Sequence, residues 1–577
     1  MKYSRIFAAL SVPTALIALL ALPTQAGVLT GSVMGADGKP MQGVLVRLTD
    51  NRIGLSESVY TNFNGAYVLA TDLQGQLDLR LRTPYFKDTT STIEMGANSV
   101  VEQDLVMSPM TDAREISESL PAAYHFGSLP FETAADADFN RLQFQRDCLS
   151  CHQIGNPFSR QPRTPESWAA TIQRMHLYLG NFDMELRDSR SVILSEGFNG
   201  QPLAVRPEFP LDDSMSDMKL YEYRLDRAVV PHDAIYNPND GLMYTVDQAL
   251  DHIAITDPAT GETEYVTETG GAAMSFRAGI SAENPVIGEF DPGASHGPHS
   301  LDMGLDGKYY VTNTGTRSIG VFNPQTREWE AAHLIAAETG ANYPHTIRVD
   351  AKGIVWFTFA GSEHVGRLDP VSGVFTILNL PLHAPMGIAG TTQPYGIDIN
   401  PVDGSVWYGR LFADKVGRID SETLEITEYN SPVSGPRRMH FDKSGVLWVA
   451  GYSEGMLARI EPEGFQTKVY PMPEFAAGFR PAPYALGVHP DSQDIWLNEN
   501  MTDRLYRFIP EEERFIVYPV PLSGTYTRDM TFTTEGRVCT SNNPIPAPSL
   551  EGGVLQILCI DPYYDPQQAA GVAFSQK

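Results

Sequence analysis

Apolar and polar residues alternate one by one along most of this chain, in short bursts broken by Gly, Pro, Asn and Asp. Such alternation predicts half-buried antiparallel strands, whose successive side chains point to opposite faces of a sheet. Residues 27–109 show it in Val44, Val46 and Leu48, with Asp37-Gly38 and Asn64-Gly65 at the turns. Between about 110 and 205 the period changes, and "PESWAATIQRMHLYLG" carries apolar residues at helical intervals. Thr164 stands as N-cap and Pro165 at the first helical position, the usual order at a helix start. From 218 onward the alternation returns and repeats itself.

The repeat is plain in "YPHTIRVDAKGIVWFTFAGSEHVGRLDPVSGVFTIL" and in its relatives beginning "QPYGIDI", "GPRRMHF" and "APYALGV". Diverged copies begin "VPHDAIY", "GPHSLDM" and "YTRDMTF", which makes seven. Each copy holds about four strands, the make-up of a propeller blade. "KLYEYRLD" precedes the first copy and matches the closing strand of later blades, whereas the last copy lacks one. The two ends are therefore expected to share a blade. The chain reads as multidomain and mainly β, with a β-sandwich (27–109), a small α-helical domain (110–205) and a seven-bladed β-propeller (218–565).

At 577 residues the chain exceeds one ordinary core, and 42% hydrophobic with 19% charged residues is a globular composition. The net charge of −28 opposes binding to nucleic acid or anionic lipid and suits a basic protein partner. Lys2, Arg5, an apolar run to Leu22 and the small-residue site Thr24-Gln25-Ala26 predict a secretory signal peptide over 1–26, the alternative being a retained anchor. The mature protein is expected in the periplasm with no membrane span.

An exported C-x-x-C-H, here Cys148, Cys151 and His152 in "RDCLSCHQIGNP", predicts one covalent haem c. Its thiols would form thioethers and His152 would ligate iron. A zinc or redox C-x-x-C is the alternative, but no second cysteine pair follows. Met175 lies seven residues after Trp168, on the same helix face, and is the expected sixth ligand, with His176, Met184 or an open position as alternatives. Residues 138–200 resemble compact class I cytochrome c domains, in which a methionine at the corresponding place ligates iron. A soluble acceptor such as a small cytochrome or copper protein would then take the electrons.

Aligned blade openings carry His232, His299, His345, Tyr395, Arg437, Tyr484 and Arg528 after a Pro or Thr. These side chains should form one ring at one end of the channel. The three histidines could bind a divalent transition metal, or each could bond water or a neighbouring blade. Arg437, Arg438 and Arg528 could hold a carboxylate or other anion, so Tyr395, Arg437, Tyr484 and Arg528 are candidate contacts for a small-molecule substrate. Cys539 and Cys559 fall in neighbouring strand slots, and a disulfide is expected in an oxidising compartment, with buried free thiols as the alternative.

The phrases "VWFT" and "VGRLDP" resemble the virginiamycin B lyase, or streptogramin lyase, family of seven-bladed propellers over about 218–562. That resemblance implies opening of a cyclic depsipeptide by elimination, with magnesium, histidine and glutamate. It puts Glu499 of "WLNE" at the family's acidic position and makes it a catalytic candidate beside His232, His299 and His345. The family's histidine two residues after the acid is absent here, where Asn500 and Met501 follow. A His-rich ring also suits a softer metal than magnesium, which prefers oxygen ligands. Gly38, Pro40, Gly43, Thr61, Gly65 and Tyr67 resemble the carboxypeptidase regulatory-like β-sandwich, a module used for spacing or docking. Three functions remain: a haem-linked oxidoreductase, a lyase with an attached haem domain, and a non-enzymatic electron carrier.

Overall fold

The computed structural model describes residues 26–136, 139–178, 181–268, 295–384 and 391–570. Residues 1–25 of the expected leader lie outside these. No described helix is long and apolar enough to cross a membrane.

From Pro231 onward the chain forms seven four-stranded antiparallel blades. Six are continuous in sequence. The seventh combines Thr527–Phe532, Val538–Asn542 and Gln556–Asp561 with Lys219–Arg224 from the start of the repeat region. The first strand of each blade packs against those of both neighbours, and the seventh against the first, so the ring closes. Trp356, Trp407, Trp448 and Trp496, each on a second strand, are fully buried between blades. Their indole N–H groups are not wasted: Trp356 donates to Asp350 at 3.0 Å and Trp448 to Asp442 at 3.1 Å, carboxylates that also cap the preceding turns. Cys539 and Cys559 face each other in the seventh blade and form a disulfide.

Every first strand breaks register directly after its opening residue, as between Pro231 and Ala234 or Pro436 and Met439. A bulge of this kind re-aims side chains, and here it turns the second residue of each strand inward. The carbonyls it frees from the ladder need donors. Thr312 donates to His345 O at 2.6 Å and Thr358 to Tyr395 O at 2.7 Å, each from the second strand of the blade before. Ser541 and Asn498 do the same for His232 and Arg528. The Thr of "VWFT" thus has a structural duty, holding the next blade's bulge in place.

The N-terminal domain is more than a spacer. Its strand Leu55–Tyr60 pairs antiparallel with Lys219–Arg224, Leu55 opposite Tyr223 and Val59 opposite Lys219. The seventh blade therefore continues through Leu55–Tyr60, Leu45–Asp50, Gly75–Arg82 and Thr89–Met95 as one eight-stranded sheet. Lys219 Nζ, buried at this seam, pairs with Glu57 at 2.9 Å and donates to Ala70 O at 2.8 Å.

Between these parts lie the helices Arg141–Cys148, Pro165–Tyr178 and Met184–Gly197, with short helices before them. Asn140 and Asp183 cap two starts, and Thr164 Oγ1 accepts from Ser167 N at 3.3 Å, as expected of an N-cap. Their apolar core, with Phe126, Phe144, Leu149, Trp168 and Ile193, runs without a break into Phe412, Tyr452, Tyr484 and Tyr526 of the propeller. The helices thus sit on the mouth of the channel.

Replacing Lys219 by Ala should cost about 3–5 kcal/mol, because it strands the Glu57 carboxylate in the seam. Urea unfolding checks this; a loss below about 1 kcal/mol, the scale of an exposed pair, would show that the seam is open to water.

Candidate functional site

The bulges bring all seven ring residues together, each at most 7% exposed. The His232 ring lies 3.6 Å from His299, His299 lies 4.0 Å from His345, and His345 lies 4.0 Å from Tyr395, centroid to centroid. The Tyr395 and Tyr484 hydroxyls are 3.0 Å apart. Arg437 donates to Tyr395 Oη at 2.9 Å and Arg528 to Tyr484 Oη at 3.0 Å. One arc of the ring is imidazole and the other is guanidinium and phenol.

Burial keeps the imidazoles neutral: His232 is pushed down to about 4, with Arg528 adding to the effect, and His299 and His345 lie well below the ordinary value. His232 Nδ1 is 2.9 Å from Asp233 Oδ1 and His345 Nδ1 is 2.8 Å from Thr346 Oγ1, while His299 Nδ1 has no partner among the described residues. Ligand atoms of His232, Asp233 and His299 lie within 4.8 Å of one another, a donor set able to take a divalent cation. His345 stands beside this group, so the converging trio includes a carboxylate in place of the third histidine. Burial alone would raise Tyr484, but Arg528, Arg437 and Arg438 hold its phenol down to about 8.

A second layer closes the channel below. Arg438 bonds both Asp233 oxygens, at 3.1 and 3.0 Å, and Asp529 at 2.9 Å; Arg348 bonds Asp529 at 3.0 Å. His440 is 3.4 Å from Asp398, whose charge raises the imidazole in spite of burial. Arg438 and Arg348 likewise hold Asp529 well below the carboxylate range against the pull of burial. This floor was legible in principle, since Asp302, Arg348, Asp398 and His440 occupy one slot in successive blades. Of this floor the blade openings bring out only Arg438, expected to hold a bound anion and here committed to Asp233 and Asp529.

The C-x-x-C-H loop is seated on this mouth. Leu149 O, between the two cysteines, accepts from Tyr452 Oη at 2.5 Å and Tyr526 Oη at 2.8 Å. Gln153 Nε2 donates to Asp503 at 2.8 Å and to Thr525 O at 2.9 Å, and Ile545 N donates to Cys151 O at 2.9 Å. Cys151 lies close enough to Arg528 and Arg437 for their charges to oppose the upward push of burial on its thiol.

The residues present fit a haem. Both thiols are free and half-buried. His152 Nδ1 is 2.8 Å from Gln153 O, which fixes the ring and leaves Nε2 as the nitrogen that would ligate iron. Phe158, whose ring meets His152 edge-on at 6.0 Å, also lines a cavity of ≈ 1150 Å³ that reaches the N-terminal domain, but Cys148, Cys151, His152 and Met175 are not among its lining residues. Met175 is 37% exposed on the helix Pro165–Tyr178, and Met184 is also exposed. His176 is buried, with its Nε2 engaged by Arg190 at 2.8 Å, and Arg190 in turn holds Asp147 at 2.7 Å.

Glu499 is buried at the end of its strand, where burial pushes its carboxyl up to about 7. Both oxygens are taken by its own loop: Met501 N at 2.7 Å, Thr502 N at 2.8 Å and Thr502 Oγ1 at 2.6 Å. It acts here as a loop clamp.

A spectrophotometric titration should show one tyrosinate forming near pH 8, absent in Tyr484→Phe and shifted upward in Arg437→Ala. Tyrosines ionising only above pH 10 would contradict this electrostatic reading of the ring.

The profile of the virginiamycin B lyase family matches residues 287–479, and that of the carboxypeptidase regulatory-like domain matches residues 28–108. No curated protein matches the chain. Among solved structures, a streptogramin B lyase is similar at 17% identity and TM-score 0.48, over 61% of this chain and 99% of its own. The virginiamycin B lyase from Staphylococcus aureus is similar at 16% identity and TM-score 0.46, over 59% and 99%. Kuenenia stuttgartiensis hydrazine synthase is similar at 12% and 0.44, over 57% and 96%. The chain thus joins a carboxypeptidase regulatory-like domain to a virginiamycin B lyase-like β-propeller, with a helical C-x-x-C-H segment seated between them.

Proposed function

We propose that this chain is a periplasmic oxidoreductase that binds a small molecule at the propeller mouth and passes its electrons, by way of one haem c, to a soluble acceptor such as a small cytochrome or copper protein. The observation that carries the reading is the seating of the C-x-x-C-H loop on the ring, through Tyr452, Tyr526 and Gln153. Cys148, Cys151 and His152 would hold the haem, with Met175 as the proposed sixth ligand, and when bound it supplies a one-electron redox centre.

The chain's own residues do the rest. The ion-paired floor of Asp233, Arg438, Asp529 and Arg348 gives the site a fixed base. The neutral imidazoles of His232, His299 and His345 offer lone pairs to a proton, and His232, Asp233 and His299 form the donor set for a divalent cation. Tyr484, poised near neutrality, can give or accept a proton at its Oη. Tyr395, Arg437 and Arg528 orient the substrate.

The family match over residues 287–479 favours a second reading, elimination of the streptogramin lyase type. The clamped carboxylate of Glu499 weighs against it, because its oxygens already serve Met501 and Thr502.

Anaerobic addition of candidate substrates to the oxidised protein should reduce the haem spectrum. The variant carrying His232→Ala, His299→Ala and His345→Ala should lose at least 100-fold of that rate, the scale expected when acid–base groups are removed. Turnover without any electron acceptor would instead establish the lyase, and electron exchange with small cytochromes but with no substrate would leave a carrier.

A further inference from the structure

Two buried cations of the ring lack a counter-ion among the described residues. Among the described residues neither Arg437, 3% exposed, nor Arg528, 4% exposed, has a carboxylate within ion-pair distance. Their neighbour Arg438, by contrast, has two, Asp233 and Asp529. Arg528 spends Nε on Asn543 Oδ1 at 2.6 Å and Nη1 on the Tyr484 hydroxyl, both neutral acceptors near pH 7. Arg437 spends only Nη2, on Tyr395, and its Nε and Nη1 are buried with no acceptor among the described residues. Around Arg528 the Nδ2 groups of Asn500 and Asn543 are likewise buried and without a partner among the described residues. Buried donors without acceptors are costly, and buried unpaired charges more so, so a set gathered in one place marks the position of an absent acceptor.

The shape of the site narrows the choice. Tyr452 and Tyr484 lie 4.1 and 4.0 Å from the Arg437 guanidinium carbon, and Tyr395 lies 4.7 Å away, so aromatic rings cover the guanidinium and its N–H edge is what remains open. An edge-on guanidinium pairs best in plane with a flat two-oxygen anion. We infer that a carboxylate group occupies the mouth between Arg437 and Arg528, under the C-x-x-C-H loop. The inference rests on the mouth being the binding site proposed above and names the chemistry of what it takes. Two sources carry that group: an organic acid substrate, and a propionate of the haem attached at Cys151.

The test is calorimetric titration of the holoprotein at pH 7 with acetate, propionate, succinate and inorganic phosphate, on wild type, Arg437→Met, Arg528→Met and Arg437→Lys. With a substrate carboxylate, at least one organic acid saturates the wild type, weakens tenfold or more in each Met variant and partly recovers in Arg437→Lys. With a propionate, added acids do not bind, and Arg437→Met shifts the pH dependence of the haem midpoint potential. Should the Met variants fail to fold, the wild type alone suffices: saturating acetate should move the Tyr484 titration to higher pH, or the Tyr484 titration should differ between haem-loaded and haem-free protein. Binding of phosphate but of no carboxylate, or no effect in any arm, overturns the inference. An acid that binds without reducing the haem leaves it standing while the oxidoreductase reading falls.

Discussion

Seven strands that converge on one axis leave room for seven side chains and little else. The bulge after each opening residue makes that constraint chemical, since it turns the second residue of every first strand toward the axis, and hydroxyl or amide groups of the preceding blade hold several of the freed carbonyls. The binding chemistry proposed for the mouth follows from what those seven residues are. Three are histidines kept neutral by burial, and four form an arginine and tyrosine arc in which each guanidinium is hydrogen-bonded to a phenol.

The same crowding explains why the helices sit where they do. Tyr452 and Tyr526 extend the arc upward and present two hydroxyls on one side, and both donate to the Leu149 carbonyl. A carbonyl inside a tight cysteine-bearing turn has no helical partner, so these bonds both satisfy it and fix the turn. Below, the floor of paired Asp and Arg gives the ring a closed base, and a buried network of this kind is rigid only because almost every member is paired.

The ring was legible in the sequence because a repeat protein writes each structural slot seven times, and His232, His299 and His345 stand out once the copies are aligned. The closing strand was legible for the same reason. The pairing of Leu55–Tyr60 with Lys219–Arg224 was not, because backbone bonds between two strand edges leave no mark on side-chain pattern, and strands buried on both faces lose the alternation that reveals a register. The seating of Gln153 on Asp503 was equally hidden, being a contact between residues 350 positions apart. For Glu499, family resemblance supplied a catalytic role where the local fold supplies a loop clamp, since Thr502 can reach back to the carboxylate only once the turn has formed.

The central claim is that the C-x-x-C-H loop and the ring are one site. The most direct measurement is a crystal structure of the protein purified with its haem from a host able to export and attach it. The account predicts iron on His152 Nε2, with Leu149 O still bonded to Tyr452 and Tyr526 and the ring directly beneath. A loop lifted from the mouth, with the Leu149 carbonyl in water, or thiols left free in fully exported protein, would contradict it.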